Sequence, residues 1–210
     1  MAILYTLIIR MAGWFILPAA LFSSKIKAWR EGRKQFPTPV GNLKNPVWIH
    51  CASLGEFEQA RPVIEAIRSQ LQWPVLLSFF SPSGYLVRKD YPGAEQVIYL
   101  PLDTPENARK FLASFQPRLA IMVKYDLWFN YLKTCEARDI PLILISAQFP
   151  ATYWLFKPWA RWFRDILFRF DAIFVQDSAS LQVLEDQGYH KVYLAGDTRI
   201  DRVLHLPAES

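Results

Sequence analysis

The stretch WIHCASLGEFEQARPVIEAI at 48–67 decides the fold class of this chain. The apolar run at 47–52, where this stretch begins, predicts a buried strand, and the amphipathic run at 57–71, which continues beyond it, predicts a helix. Pro62 is tolerated only near the start of that helix, where its missing N–H is not needed. SLGE therefore joins a strand directly to a helix, which is the repeating unit of an α/β domain.

The rest of the chain repeats this alternation. Further strands are predicted at 74–80, 97–100, 119–123, 142–145, 172–175 and 191–195, and further helices at 104–115, 127–138, 152–169 and 178–187. Strands that alternate with helices predict a Rossmann-like parallel sheet with helices on both faces. We expect 36–46 to be a linker, because it is rich in Pro, Gly and Asn, and 47–203 to be the domain.

Composition and charge exclude several classes of protein. Of 210 residues, 52% are hydrophobic and 20% charged, so the chain is not broadly disordered, and two cysteines are too few for a disulfide scaffold or a zinc cluster. The net charge of +5 arises within residues 1–35, since basic and acidic side chains balance in the rest. A nucleic-acid partner is not expected, because its binding surface would spread positive charge over the domain.

Residues 1–35 are predicted to form a membrane-anchoring apolar helix with a basic flank. As a helix, the apolar run at 1–22 is about 33 Å long, which is enough to cross a bilayer. However, the free-energy cost of inserting Arg10 near its middle about cancels the gain from inserting the apolar residues. Spanning and lying in the interface therefore both stay open. The basic residues that we expect at lipid headgroups are Arg10, Lys25, Lys27 and Arg30.

The order of the apolar run and its basic flank predicts an orientation. The positive charges follow the apolar run, which places the following domain on the cytoplasmic side of the membrane. A cleaved signal peptide is disfavoured by the same order. The remaining alternative is a first helix that packs on the domain without meeting lipid.

A second membrane-facing segment is predicted at 151–170, ATYWLFKPWARWFRDILFRF, in which eight of twenty residues are aromatic. In a continuous helix, Lys157, Arg161 and Arg164 share one face, and a basic stripe beside aromatic rings suits lipid headgroups. The alternative is a core helix with a solvated basic edge.

Ligands of open α/β sheets bind beyond the carboxyl ends of the strands, which selects the loops at 53–58, 81–84, 124–130 and 146–150. In the first loop, Glu56 is a candidate general base, and Gly55 would let a substrate approach the backbone. Ser53 and Glu56 also match the S-x-x-E pattern of a capping box, which is the structural alternative.

The other loops offer weaker candidates. Lys124 and Asp126 end the fourth strand, where they are expected to pair with each other if no ligand intervenes, and Gln148 supplies an uncharged polar group. His50 is interpreted as a satisfied core residue. The sequence contains no metal-ligand spacing, no G-x-G-x-x-G and no G-K-[ST], so neither a metal nor a nucleotide cofactor is expected.

Taken in order, these loops resemble the 3-deoxy-D-manno-octulosonic acid (Kdo) transferases of lipopolysaccharide synthesis. The stretches that carry the resemblance are WIHCASLGEFEQARPVIEAI, PLDTPENARKFLASFQPRLAIMVKYDLWFNYL at 101–132, IPLILISAQF at 140–149, FDAIFVQDSAS at 170–180 and GYHKVYLAGDTRIDRV at 188–203. The SLGE, LWxN and GDTRxDR blocks are specific because they occur together in a fixed order.

The resemblance implies the acceptor-binding half of a two-domain, inverting GT-B glycosyltransferase. Its N-terminal domain would bind a lipid A precursor, near Ser53, Gly55, Lys124, Asp126 and Gln148, and its C-terminal domain would bind CMP-Kdo. The glutamate of the family's S-x-G-E loop, the proposed catalytic base, corresponds to Glu56.

Two departures from the family pattern weaken the transfer of roles. Many members have Glu-Thr-Glu where this chain has Lys124-Tyr125-Asp126, so the role of the first acid is not carried over. The family's Asn-Ala-Arg is here Ser146-Ala147-Gln148, which lacks a phosphate-binding arginine, a charge that Lys124 would have to supply.

The resemblance ends at the block that leads into the second domain, and residues 204–210 are interpreted as a truncated tail. We therefore expect the 210-residue chain to transfer no Kdo by itself. Two alternatives stay open: a non-enzymatic, membrane-docked lipid-binding module, and another sugar transferase of the GT-B fold.

Overall fold

The computed structural model describes the backbone of residues 2–19, 24–41 and 43–197, and the side chains of 3–11, 26–41 and 43–197 except 158. Seven strands form one parallel sheet in the order β3-β2-β1-β4-β5-β6-β7. The strands are β1 (Val47–Cys51), β2 (Val75–Phe79), β3 (Gln96–Tyr99), β4 (Leu119–Val123), β5 (Leu142–Ala147), β6 (Ala172–Val175) and β7 (Val192–Leu194). Each strand predicted from the sequence is present, which confirms the Rossmann-like parallel sheet.

Eight α-helices are found in the described part of the chain. They are α1 (Ala2–Ala19), α2 (Ser24–Glu31), α3 (Leu54–Ala66), α4 (Pro82–Arg88), α5 (Pro105–Phe115), α6 (Phe129–Glu136), α7 (Arg161–Leu167) and α8 (Ser178–Asp186). Within these residues, no helix combines the length and the apolar character that crossing a bilayer needs. The membrane-associating N-terminal helix that the sequence predicts stays a prediction.

The core lies on both faces of β1. This strand is hydrogen-bonded to β2 on one side and to β4 on the other, and all five of its residues are buried. Its side chains alternate, so that Ile49 packs with Phe57 and Phe79 below one face of the sheet, whereas Trp48 packs against Phe111 on the other. Burial on both faces explains why β1 reads as a nearly continuous apolar run.

Two helices depart from the sequence prediction, one in where it begins and the other in being present at all. α3 begins at Leu54 and not at Phe57, because Ser53 is its N-cap. α4 was not predicted at all, although Ser81 at its N-cap and Pro82 in its first turn are ordinary start signals. Both helices therefore begin directly at the ends of strands.

The single aromatic helix predicted at 152–169 is wrong. The segment forms two 3₁₀ turns, Trp154–Phe156 and Pro158–Ala160, before α7 begins at Arg161. Lys157 between the two turns is extended, with ψ at 150°, because a residue that precedes proline is sterically kept out of the helical region.

The basic stripe predicted on that helix is also wrong. Lys157 lies outside any helix, so it cannot share a helical face with Arg161 and Arg164. Arg164 instead reaches the end of α8, where its Nη1 donates to Gln187 Oε1 at 2.7 Å. Only Lys157 and Arg161 of the three are exposed.

The N-terminal half of α1 packs on the domain through Tyr5. The Tyr5 hydroxyl donates to Asp103 Oδ2 at 2.7 Å, and its ring contacts Phe129 and Trp162. Asp103 is buried and also accepts the backbone N–H groups of Asn130 and Tyr131, so it caps the start of α6. Burial raises the pKa of Asp103 to about 6, and these hydrogen bonds oppose the rise. One carboxyl group thus connects α1 with α6.

We predict that Tyr5→Phe lowers the free energy of unfolding by about 1–3 kcal/mol, since it removes a part-buried hydrogen bond to a carboxylate. Urea denaturation at pH 7.5 measures the change. Tyr193→Phe is the matched control, because Tyr193 is half-exposed on the edge strand β7, and it should change stability by no more than about 0.5 kcal/mol. Equal effects of the two substitutions would contradict the assigned role of Tyr5.

Candidate active site

The candidate active site lies where the strand order reverses. β1 and β4 are neighbours in the sheet, but the chain leaves β1 toward β2 and β3, and leaves β4 toward β5, β6 and β7. The loops after the two strands diverge, and the crevice expected between such loops is the usual ligand site of doubly wound sheets. Ser53 and Glu56 follow β1, and Lys124 and Asp126 follow β4.

Glu56 lies in the first turn of α3, directly after β1. Its Oε2 accepts the backbone N–H of Ser53 at 2.7 Å and the Ser53 hydroxyl at 3.3 Å. The capping geometry that the sequence allowed is therefore present. A Cβ built on Gly55 would meet nothing closer than Ser53 Oγ, at 4.0 Å, so the space above Gly55 is open to a substrate.

Asp126 is a buried acid beside Glu56. Burial, and then the nearby charge of Glu56, raise the pKa of Asp126 well above its usual range, and a backbone hydrogen bond from Ala52 offsets the rise only in part. We conclude that Asp126 binds its proton far more readily than a solvated aspartate does. Two carboxyl groups thus lie close together after β1 and β4, and burial favours the neutral form of Asp126.

His50 approaches Asp126 from the end of β1. The distance from His50 Nε2 to Asp126 Oδ2 is 3.8 Å, and neither atom has a hydrogen-bond partner among the described residues. His50 Nδ1 lies 2.8 Å from Ser78 Oγ, which also accepts the indole N–H of Trp48 at 2.8 Å. The contact with Ser78 orients the ring so that Nε2 faces Asp126.

His50 is therefore only half-satisfied, contrary to the sequence interpretation. It is a core residue, as expected, but its second ring nitrogen faces the crevice side of the sheet without a partner. Burial, and then the positive charge of Arg33, lower the pKa of His50 to about 3. The imidazole is neutral at physiological pH, and it adds a polar group to the site without adding charge.

Lys124 does not pair with Asp126, although the sequence allowed it. It forms no ion pair with any residue that the structure describes. Its backbone is in the left-handed region, with φ at 61°, and so is that of Ser146 at the end of β5, with φ at 54°. Non-glycine residues adopt this conformation rarely, and strain of this kind concentrates at ligand sites.

Gln148 lies farther along the sheet edge and holds a different contact. Its side-chain Nε2 donates to Asp177 Oδ2 at 3.0 Å, and its backbone carbonyl accepts a hydrogen bond from the Tyr125 hydroxyl at 2.6 Å. Gln148 therefore connects the ends of β4, β5 and β6, whereas Ser53, Glu56, Lys124 and Asp126 border the crevice between β1 and β4.

Arg33 is a partly buried cation for which the sequence predicted no individual role. Its guanidinium lies over the rings of Trp29, Phe80 and Tyr99, at 4.0–4.7 Å from their centroids. It donates to the carbonyls of Phe80 at 2.7 Å and Leu100 at 2.9 Å, and burial lowers its pKa to about 9. Only the three-dimensional cage reveals its role, because the aromatic residues come from three separate segments.

The other basic residues that were expected to contact lipid differ in their ion pairs and in their exposure. Arg10 pairs with Glu106 at 2.7 Å, and Arg30 lies 3.6 Å from Glu31. Lys27 is exposed. The side chain of Lys25 lies outside the described residues, as do residues 198–202 of the GDTRxDR block, residue 203 and the tail at 204–210.

Comparison with solved structures defines the class of protein. The chain is similar to a putative UDP-N-acetylglucosamine 2-epimerase from Listeria monocytogenes, with a TM-score of 0.60 and 11% identity over 80% of this chain and 49% of that one. It is also similar to the UDP-GlcNAc 2-epimerase of Neisseria meningitidis, with a TM-score of 0.58 and 16% identity over 76% of this chain and 48% of that one. At such low identity the likeness shows the fold alone, a Rossmann-like domain of the GT-B type.

Sequence comparison identifies the family. The family model described as 3-deoxy-D-manno-octulosonic-acid transferase (kdotransferase) matches residues 27–202, so the chain belongs to the Kdo transferase family of glycosyltransferases. The Kdo transferase of Bordetella pertussis is 30% identical over 182 residues, which are 83% of this chain and 42% of that protein. The Haemophilus influenzae enzyme is 30% identical over 124 residues, 57% of this chain and 27% of that protein. The chain thus spans less than half the length of these relatives.

The neutral state of His50 predicts a pH dependence of stability. Its folded pKa of about 3 lies below the value of about 6.5 in an unfolded chain, so the unfolded state alone gains a proton as pH falls below 6.5. The contribution of His50 to stability is complete above pH 6.5 and is lost progressively below it. Relative to His50→Gln, wild type should lose about 2 kcal/mol between pH 6.5 and pH 5.

Urea denaturation of both proteins at the two pH values measures this difference, from which the shared effects of Asp103 and other acids cancel. His190→Gln is the matched control, because His190 is exposed, and its curve should run parallel to that of wild type. A His50→Gln curve that is also parallel to wild type would show that His50 is protonated in the folded protein.

Proposed function

We propose that this chain is the acceptor-binding half of an inverting Kdo transferase, and that Glu56 is its general base. The observation that carries the proposal is the position of Glu56: a carboxylate at the crevice between β1 and β4, beside an acid that favours its neutral form. Both of its hydrogen bonds within the described part of the chain fall on Oε2. Oε1 is therefore available to a substrate hydroxyl.

The proposed reaction needs few groups from this domain. A sugar hydroxyl of the lipid A precursor gives its proton to Glu56 while its oxygen attacks the anomeric carbon of CMP-Kdo. The bond from that carbon to the phosphate oxygen breaks, CMP leaves with the electron pair, and the configuration inverts. The N–H and hydroxyl of Ser53 fix the carboxylate, which reduces the reorganisation that proton transfer requires.

Lys124 supplies positive charge at the crevice where many relatives carry an acid. Because it has no acidic partner among the described residues, it is available to an anionic group of the acceptor or the donor. The neutral tendencies of His50 and Asp126 leave this cation and Glu56 as the main charges of the crevice. CMP-Kdo would bind a second domain, so the 210-residue chain alone should transfer no Kdo.

We further propose that the chain docks on the cytoplasmic face of the inner membrane. Two features support this: α1 exposes an apolar row that includes Leu4 and Ile8, and Trp154 and Trp159 stack on each other at the surface. Exposed tryptophan beside basic residues is typical of the membrane interface, and Lys27, Lys157 and Arg161 supply exposed positive charge.

We predict that Glu56→Gln, in a form of the enzyme that includes the donor domain, lowers kcat by about 10²–10⁴ and changes acceptor affinity by no more than a few-fold. Gln keeps an acceptor oxygen for the Ser53 N–H, so the helix cap survives while proton abstraction is lost. A radiolabelled transfer assay with CMP-Kdo and tetraacylated lipid A precursor measures kcat, and thermal unfolding checks the fold.

Glu65→Gln is the matched control, because Glu65 is exposed on the same helix and pairs with Arg61. It should retain normal kcat. Normal turnover in a stable Glu56→Gln enzyme would assign Glu56 to capping alone and would make Asp126 the next carboxyl group to test.

We predict that the double substitution Leu4→Glu/Ile8→Glu reduces flotation with vesicles that contain anionic lipid by at least about tenfold. Two carboxylates on the exposed face of α1 oppose both apolar insertion and attraction to the anionic surface. Liposome flotation at low and high salt measures binding.

The matched control is Leu86→Glu/Val87→Glu, which changes two exposed apolar residues of α4 and should leave flotation unchanged. Full flotation of the α1 variant would shift the membrane role to the surface around Trp154 and Trp159. Absence of flotation by wild type would remove the membrane proposal altogether.

A further inference from the structure

A groove of about 550 Å³ lies between α1 and the helix pair α5 and α6. These two helices pack on one face of the sheet, whereas α3, which carries Glu56 in its first turn, packs on the other. Ser53, Glu56, Lys124 and Asp126 are not among the described residues that line the groove. The groove is therefore separate from the candidate active site.

One wall of this groove is basic. Arg10, Arg109, Lys133 and Arg138 line it, and none of the described lining residues is acidic. Arg10 pairs with Glu106 at 2.7 Å, whereas the other three form no ion pair with any residue that the structure describes. Arg138 Nη2 donates to the backbone carbonyl of Arg109 at 3.5 Å, so the Arg138 guanidinium is held against the part of α5 that carries Arg109.

Three cations around one groove repel each other, and the repulsion opposes folding unless an anion neutralises it. The dipole of α6 favours positive charge near its C-terminal end, where Lys133 and Arg138 lie. It does not account for Arg109, which lies in the first half of α5, where no helix C-terminus offers this benefit. The arrangement therefore favours the binding of an anionic group.

The α1 side of the groove is apolar. Ile3 and Leu7 line it and are 87% and 50% exposed, and Leu4, Ile8 and Met11 continue the exposed row along the same helix. A small inorganic anion would leave these side chains in water. A ligand with an anionic head and apolar chains would meet the cations and cover the row as well, which is the more favourable occupancy.

We propose that this groove binds one anionic glycerophospholipid, with its phosphate between Arg109, Lys133 and Arg138 and the first carbons of its acyl chains against Ile3 and Leu7. A volume of about 550 Å³ lies within the ~300–1,000 Å³ of small-ligand sites, so the headgroup and the chain starts have room. The inference goes beyond the proposed function, because this lipid is neither the donor nor the acceptor. It also differs from docking on a bilayer as a whole, since one lipid occupies a defined groove on each chain.

The test uses the full chain in dilute solution and three probes. They are dihexanoyl phosphatidylglycerol below its micelle-forming concentration, dihexanoyl phosphatidylcholine and inorganic phosphate. Heteronuclear NMR titration, followed through the backbone amide signals of α6, measures each Kd. Wild type should bind phosphatidylglycerol at least about tenfold more tightly than either other probe, because phosphatidylcholine carries no net charge and inorganic phosphate has no apolar part.

Arg109→Gln/Lys133→Gln should weaken the binding of phosphatidylglycerol by at least about tenfold. Both side chains are exposed and make no hydrogen bond within the described part of the chain, so the Tm of the lipid-free protein should not fall. Lys89→Gln/Lys191→Gln is the matched control, because it removes two exposed positive charges that do not line the groove. It should change Kd by less than about threefold.

Three results would overturn the lipid site. The first is binding of phosphatidylcholine as tight as that of phosphatidylglycerol, since the cations would then select nothing. The second is an unchanged Kd for phosphatidylglycerol in Arg109→Gln/Lys133→Gln. The third is binding of inorganic phosphate as tight as that of phosphatidylglycerol, which would make the groove an anion site without a lipid ligand.

A lipid acceptor can carry the same chemistry, and kinetics separates the two sources. In a form of the enzyme that includes the donor domain, assayed in phospholipid-free detergent, Arg109→Gln/Lys133→Gln should retain the wild-type KM for the lipid A precursor. A KM raised by at least about tenfold would assign the groove to the acceptor and overturn the phospholipid site. If that enzyme transfers no Kdo but the chain binds phosphatidylglycerol through Arg109 and Lys133, the lipid site stands without the proposed reaction.

Discussion

The pairing of β1 with a neighbour on each side is the constraint on which the rest of this structure depends. A strand buried on both faces and at both edges must satisfy every backbone N–H and C=O through β2 and β4, because no water reaches them. In this sheet the chain passes from β3 across β2 and β1 to β4, and the loops that follow β1 and β4 lead in opposite directions. The crevice that holds Glu56 is thus a consequence of how the central strand is satisfied.

The same central strand controls the charge at the crevice. It carries His50 into the interior, where Ser78 fixes one ring nitrogen and leaves the other toward Asp126. Burial keeps the imidazole uncharged and favours the protonated form of Asp126, so both groups add polarity and not charge beside Glu56.

The sequence predicted the sheet well because buried strands and capped helices can be recognised from short, contiguous sequence patterns. Glu56 and Asp126 could be found from the rule that ligands bind at strand ends, before any coordinates were known. Two failures had local causes: the helix predicted at 152–169 is interrupted because Pro158 constrains the residue before it, and α4 was not predicted because its apolar pattern is short. The other failures were non-local. The roles of His50 and Arg33 depend on neighbours that are about 30 to 70 residues away, and no spacing in the sequence encodes such contacts.

The cage around Arg33 has a mechanical consequence. Its hydrogen bonds join the segment after α2 to the ends of β2 and β3, while Tyr5 independently joins α1 to the start of α6. The N-terminal segment is therefore fastened at two separate points and is not a free tether. With that segment on a bilayer, as proposed, the crevice would stand at a set height and tilt above the lipid surface. A glycolipid would then have to rise out of the leaflet by a fixed distance to reach Glu56, and that distance would favour acceptors whose headgroups are long enough to span it.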